Sequence, residues 1–202
     1  MRFVTCGKML VAGACMMTGL YAWGQQTQSP KVQGPSSTDV AVTYNELQVN
    51  AVGSSSTWLL GGSVQVHQHV WRRFGLVADV SGLHTSLVSG SNTGLDLVTV
   101  VFGPRYTWSP RRRRFSVFGE VLGGTTEAFD SSFPAPIYEA GGVVNHAYSI
   151  AVLTGGGMNI PVTRHISIRA IEADWLRTEL PNNAANVQNN LRLGAGFVYR
   201  IR

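Results

Sequence analysis

Three groupings in the sequence carry residue types that do chemistry. His165-Ile166-Ser167 followed by Glu179 has the order histidine, hydroxyl, carboxylate, and His84-Thr85-Ser86 repeats the first two members. A hydroxyl becomes a nucleophile when a base lies within hydrogen-bond reach and a third group orients that base. Residues two apart on a strand share a face and supply the first two parts. Order alone does not supply the third, because a strand of about ten residues at ~3.3 Å each separates His165 from Glu179. His67 and His69 also share a strand face and would suit a metal pair, yet the sequence places no carboxylate or third histidine beside them. A ligand set needs more than two members, so these histidines are expected to hydrogen-bond within the fold, with no metal and no cofactor. Arg111 to Arg114 is the densest run of charge. Guanidinium groups suit phosphate oxygens and tolerate a bilayer interface, so the run is expected to meet lipid phosphates or water and no nucleic acid.

The elements that must position these residues have a period of two. Leu60, Val64, Val66 and Val70 alternate with Ser63, Gln65, His67 and His69; Phe74, Leu76, Ala78 and Val80 alternate with Gly75, Asp79 and Ser81. Val98, Val100, Phe102, Tyr106 and Trp108 likewise alternate with Thr99, Gly103, Arg105 and Thr107. Each is a strand with one apolar and one polar face. Eight strands follow, over 40–49, 60–70, 74–81, 98–108, 115–125, 148–160, 166–176 and 190–201. In the seventh, Ile166 and Ile168 are apolar at even positions but Ile171, Ala173 and Trp175 at odd ones. A face changes parity only where one residue is inserted, which predicts a β-bulge near Ala170.

The connections alternate in length. Those at 71–73, 109–114 and 161–165 are short, and those at 85–96, 127–147 and 177–189 are long and polar, as in an up-and-down membrane barrel. The polar face carries Asp79, Arg105, Glu120, Arg169, Glu172 or Asp174, Arg192 and Arg200 among Gly, Ser, Thr and Asn. In a barrel with lipid outside, these residues fill the narrow lumen, where opposite charges pair. Trp71 and Phe74 flank the first short connection and Trp108 and Phe115 the second, with Tyr199 in the same set; Trp58, Tyr148 and Trp175 fall toward the long loops. Two belts of amphipathic rings suit the two interfaces of a bilayer. The fold class expected is therefore all-β: an eight-stranded antiparallel up-and-down transmembrane β-barrel.

The front of the chain is an export signal. Arg2 and Lys8 precede an uncharged stretch from Met9 to Ala22, and Ala22-Trp23-Gly24 is a small-residue cleavage site, so residues 1–24 form a signal peptide. Residues 25–38, rich in Gln, Ser and Pro, read as a flexible leader, and residues 39–202 as the barrel domain. Both cysteines, Cys6 and Cys15, lie within the signal, leaving no disulfide or catalytic thiol. Without Arg2 and Lys8, fourteen Lys and Arg face eleven Asp and Glu, a net charge of +3. That is too mild for a nucleic-acid binder.

From Asp39 to Arg202 the chain resembles the small outer-membrane β-barrel proteins, the family of the OmpA transmembrane domain and the OmpX type. Arg192-x-Gly194-x-x-Phe197-x-Tyr199 looks like the C-terminal β-signal read by the barrel-assembly machinery, although the chain runs on to Ile201 and Arg202. The resemblance implies an outer membrane of the Gram-negative type, outer-membrane lipids and the assembly machinery as partners, and a monomer with its N-terminus in the periplasm. Members range from structural proteins and adhesins to a few enzymes. A structural or surface-interaction role with no open pore is the reading adopted. The His-x-Ser pairs with a later Glu resemble the lipid A deacylases of the PagL type, so an enzyme is one alternative, and a narrow channel is another.

Overall fold

The computed structural model describes residues 37–50, 56–87, 94–110, 114–134, 143–180 and 187–201. The expected signal peptide, all but the last two residues of the leader, and Arg111 to Arg113 lie outside them. The described chain is eight antiparallel strands: β1 Thr38–Asn50, β2 Ser56–Trp71, β3 Phe74–Thr85, β4 Leu95–Trp108, β5 Ser116–Pro134, β6 Val143–Pro161, β7 Ile166–Thr178 and β8 Gln188–Ile201. Each pairs with its chain neighbours, and β1 pairs with β8 from Thr38↔Ile201 to Gln48↔Leu191, closing the barrel. Closure leaves no open edge, whose bare N–H and C=O groups would each cost several kcal/mol in hydrocarbon.

The parity change in β7 is a bulge at the expected place. Met158 pairs with Ile171 and Asn159 with Arg169, so Ala170 is the extra residue. Ala170 and Ile171 both face outward, and Arg169, Glu172 and Asp174 all turn inward. The either-or between Glu172 and Asp174 thus resolves to both.

The expectation of a long loop over 127–147 is corrected. β5 and β6 stay paired through Phe129↔His146 and, past a register shift, Phe133↔Val144. Phe129, Phe133, Val143 and Val144 are aromatic or β-branched, residues that favour a paired extended backbone. The loops expected over 85–96 and 177–189 also shorten, since β3 runs to Thr85, β4 starts at Leu95, β7 ends at Thr178 and β8 starts at Gln188.

The outside of the barrel carries an apolar band that runs round all eight strands. Val64, Val66, Leu76, Val80, Val100, Phe102, Val121, Ile150, Ile171 and Phe197 all point outward and are exposed, the surface that lipid tails cover. Rings gather toward the short turns, where Trp71 stacks on Phe74 at 6.4 Å and Phe74 meets Tyr106 edge-on at 5.1 Å.

Toward the long-loop end the polarity inverts. Inside, Leu47 pairs with Leu59, Leu83 with Leu97, Leu97 with Ala128 and Ala128 with Ala147, all buried. Outside, between those positions, stand Glu46, Trp58, His84, Asp96, Glu127 and Tyr148. The expectation that the polar face looks inward along the whole of each strand is corrected by this ring. An apolar inside under a polar outside is the arrangement water selects, so this end of the barrel is built for water and the middle for lipid.

Candidate functional site: the plugged lumen and its short-turn mouth

Below the leucine ring the lumen is filled with ion pairs. Arg105 on β4 faces Glu120 on β5, with Nε donating to Oε2 at 2.7 Å. Arg169 on β7 donates through Nη1 to both oxygens of Glu172 at 3.1 Å and to Gln65 Oε1 at 2.7 Å, and through Nε to Asn159 Oδ1 at 3.2 Å. Arg105 also donates to Gln65. Arg192 on β8 donates through Nε to Asp174 Oδ2 and through Nη1 to Asp79 Oδ1, each at 3.0 Å. All seven charged side chains are buried. Buried charge is tolerable only where it is paired and its remaining sites are hydrogen-bonded, which is what Gln65 provides at the centre.

Phe118 was missed by reasoning from the sequence, which left it unassigned within the fifth strand. It points inward, with the Arg105 guanidinium 4.0 Å from its ring centroid and that of Arg169 at 4.7 Å. One aromatic ring thus carries two cations. A Cβ on Gly157 would come within 2.8 Å of this ring, so the glycine on β6 makes the space for it.

The short-turn mouth opens on a polar cavity of about 230 Å³ lined by Asp39, Gln65, His67, His69, Arg105, Asn159, Arg169 and Arg200, with serine and threonine hydroxyls. The expectation that no carboxylate stands beside the two histidines is corrected here. Asp39 on β1 pairs across the strand with His67, and its Oδ2 lies 3.7 Å from His67 Nδ1 and 3.6 Å from His69 Nε2. Asp39 Oδ1 accepts from Arg200 Nε at 2.7 Å. A second cluster, Glu120, Glu172 and Asp174, is already engaged by Arg105, Arg169 and Arg192.

No family model and no curated protein matches the sequence. Among solved structures the barrel is similar to Neisserial surface protein A, with a TM-score of 0.59 at 13% identity, over 80% of this chain and 96% of that one. It is also similar to Ail, the attachment invasion locus protein of Yersinia pestis, solved with the heparin analogue sucrose octasulfate. That match has a TM-score of 0.52 at 15% identity, over 81% of this chain and 99% of Ail. This chain has the fold of the small outer-membrane β-barrels.

Within that fold the other residues singled out from the sequence fall as follows. Gly194, Phe197 and Tyr199 of the assembly-signal pattern lie on β8, the two rings exposed to the lipid side, while Arg192 of the same pattern points into the lumen. Trp71, Phe74, Trp108, Phe115 and Tyr199 cluster at the short-turn end, where the Tyr199 ring also stacks near His165 at 6.3 Å.

The triad His165, Ser167 and Glu179 is not assembled. His165 is exposed in the β6–β7 turn, and Glu179 is exposed just past the opposite end of β7. Twelve residues of strand at about 3.3 Å each keep Ser167 and Glu179 apart. The second pair fares differently: His84 Nδ1 contacts Asp96 Oδ1 across β3 and β4, on the outer surface at the long-loop end, with Ser86 two residues along. Strand pairing thus gives His84 a carboxylate, Asp96, that sequence order did not assign to it.

Proposed function

We propose that this protein is a monomeric, non-conducting barrel of the outer membrane whose role is surface contact, with the β5–β6 hairpin as its contacting element. The observation that carries this reading is strand length. β5 and β6 each have 19 residues, whereas β3 has 12. At about 3.3 Å per residue and a tilt near 40°, the hairpin stands roughly 18 Å taller than β3. Two seals below it, the leucine ring and the ion-pair layer, argue against transport as the purpose of the scaffold. Loops and hairpins carry function when a rigid barrel displays them.

Charge narrows the partner. Among the described residues the long-loop end carries Glu46, Asp96, Glu127 and Glu179 against a single cation, Arg177. Such a rim favours cationic partners and repels polyanions. A heparin-like ligand, which the Ail structure contains, is therefore not expected here. The test is adhesion of cells displaying the protein, compared with a variant in which residues 130–145 are replaced by a two-residue Asn-Gly turn. Loss of adhesion with the heat-modifiable gel shift intact supports the reading; undiminished adhesion overturns it.

A second reading, lipid acyl-ester hydrolysis, is favoured by one observation only, the His84–Asp96 contact on the outer surface at the long-loop end, with Ser86 two residues along the chain from His84. It resembles a base held by a carboxylate next to a hydroxyl.

A further inference from the structure

We propose that Asp39, His67 and His69 form a binding site for a divalent transition-metal ion of the zinc class, at the short-turn mouth of the lumen. His67 and His69 are two apart on β2, so both rings face the interior, and the β1–β2 register sets Asp39 directly across from His67. The two rings lie 4.3 Å apart, and one ligand atom from each of the three residues falls within 4.8 Å of the others. Two imidazoles and one carboxylate are a ligand set that zinc accepts, with a further position left open.

The distances separate a metal site from a hydrogen-bonded cluster. Asp39 Oδ2 is 3.7 Å from His67 Nδ1 and 3.6 Å from His69 Nε2, longer than a hydrogen bond allows. Ligands at about 2.0–2.1 Å around a tetrahedral ion sit roughly 3.4 Å from one another. Both Asp39–histidine distances are thus within a few tenths of an ångström of the spacing a metal imposes. Neither histidine has another side-chain hydrogen bond among the described residues. His67 is buried, and its Nε2 has no partner.

Arg200 is the competing cation. It donates through Nε to Asp39 Oδ1 at 2.7 Å and through Nη2 to Oδ2 at 3.1 Å. Its side chain is 41% exposed, so the guanidinium can yield Oδ2 to a metal while Nε keeps Oδ1. The remaining groups facing the cavity, Arg105 and Arg169, are neutralised by Glu120 and Glu172. The open coordination position faces that cavity, where a water or small anion fits.

The test uses the full barrel refolded in detergent micelles and titrated with Zn²⁺ alone, followed by heat of binding, with Co²⁺ as a spectroscopic substitute. One ion per barrel is expected, and Co²⁺ should show the visible bands of a low-coordinate nitrogen–oxygen site. His69→Ala and Asp39→Asn should each weaken Zn²⁺ binding by more than about 100-fold, beyond the roughly 10–100-fold that loss of an outer-shell partner costs. Arg200→Ala should tighten binding, which a nonspecific surface site would not show. His69→Gln, which keeps volume and polarity, serves if the alanine variant loses its heat-modifiable shift. Absence of Zn²⁺ binding by the folded protein, or equal binding by the His69 and Asp39 variants, overturns the proposal.

Discussion

Arg192 reaches across the lumen from β8 to Asp79 on β3, its Nη1 lying 3.0 Å from Oδ1 while its Nε holds Asp174 on the neighbouring strand at 3.0 Å. This contact ties together strands 113 residues apart in sequence. Both groups are buried, so removing one strands the other. Arg192→Leu is expected to destabilise the barrel by about 3–5 kcal/mol, read as a lower urea midpoint in micelles. Replacing Arg192, Asp79 and Asp174 together with apolar residues should recover most of the loss. A single variant as stable as the parent would show that the contact contributes nothing.

The two seals predict electrical silence. In planar bilayers the protein should give no current steps, and neither should Arg105→Ala combined with Glu120→Ala. That double variant empties part of the charged layer but leaves the ring of Leu47, Leu59, Leu83 and Leu97, which excludes ions from the long-loop end. Steps that appear in the double variant would locate the barrier in the charged layer alone and revive the narrow-channel reading.

Deleting Ala170 tests the bulge. Without the extra residue β7 alternates regularly, with Arg169 inward, Ile171 outward and Glu172 inward, so the deletion leaves every face in place. Deleting Ala173 instead turns Glu172 or Asp174 toward lipid, because a slip of one residue exchanges the faces, and a charged side chain near the bilayer midplane costs about 2–4 kcal/mol. The Ala170 deletion is expected to keep the heat-modifiable compact band and the Ala173 deletion to lose it.

The hydrolase reading is tested on purified lipid A. If the His84–Asp96 contact orients a base for Ser86, the parent releases acyl chains and Ser86→Ala abolishes release, while His165→Ala and Ser167→Ala have no effect. No release by the folded parent removes this reading and leaves surface contact alone.

Aromatic stacking on Phe118 gives a further measurable effect. Phe118→Leu keeps an apolar side chain but removes the ring against which Arg105 and Arg169 lie. A loss of roughly 1–3 kcal/mol is expected from the cation–π contacts and the altered packing. Urea unfolding followed by tryptophan fluorescence reads it.

The sequence by itself determined the strands, their number, the outward apolar face and the bulge at Ala170. These follow from a period of two, which is local: each residue's side is decided by its neighbours in the chain. Which polar residues meet was not local. Asp79 and Arg192, or Asp39 and His67, are joined by closure and register, and no spacing along the chain encodes them. The His-x-Ser pairs show the same limit. Chain order gave Glu179 to His165, whereas strand pairing gave Asp96 to His84. Nor could alternation identify the inversion near Leu47 and Leu59: Val42 and Tyr44 are apolar at even positions and Leu47 and Val49 at odd ones, a parity change that reads equally well as an inserted residue. Only the height of each residue along the barrel axis, fixed by strand tilt and pairing, decides whether its outward neighbour is lipid or water.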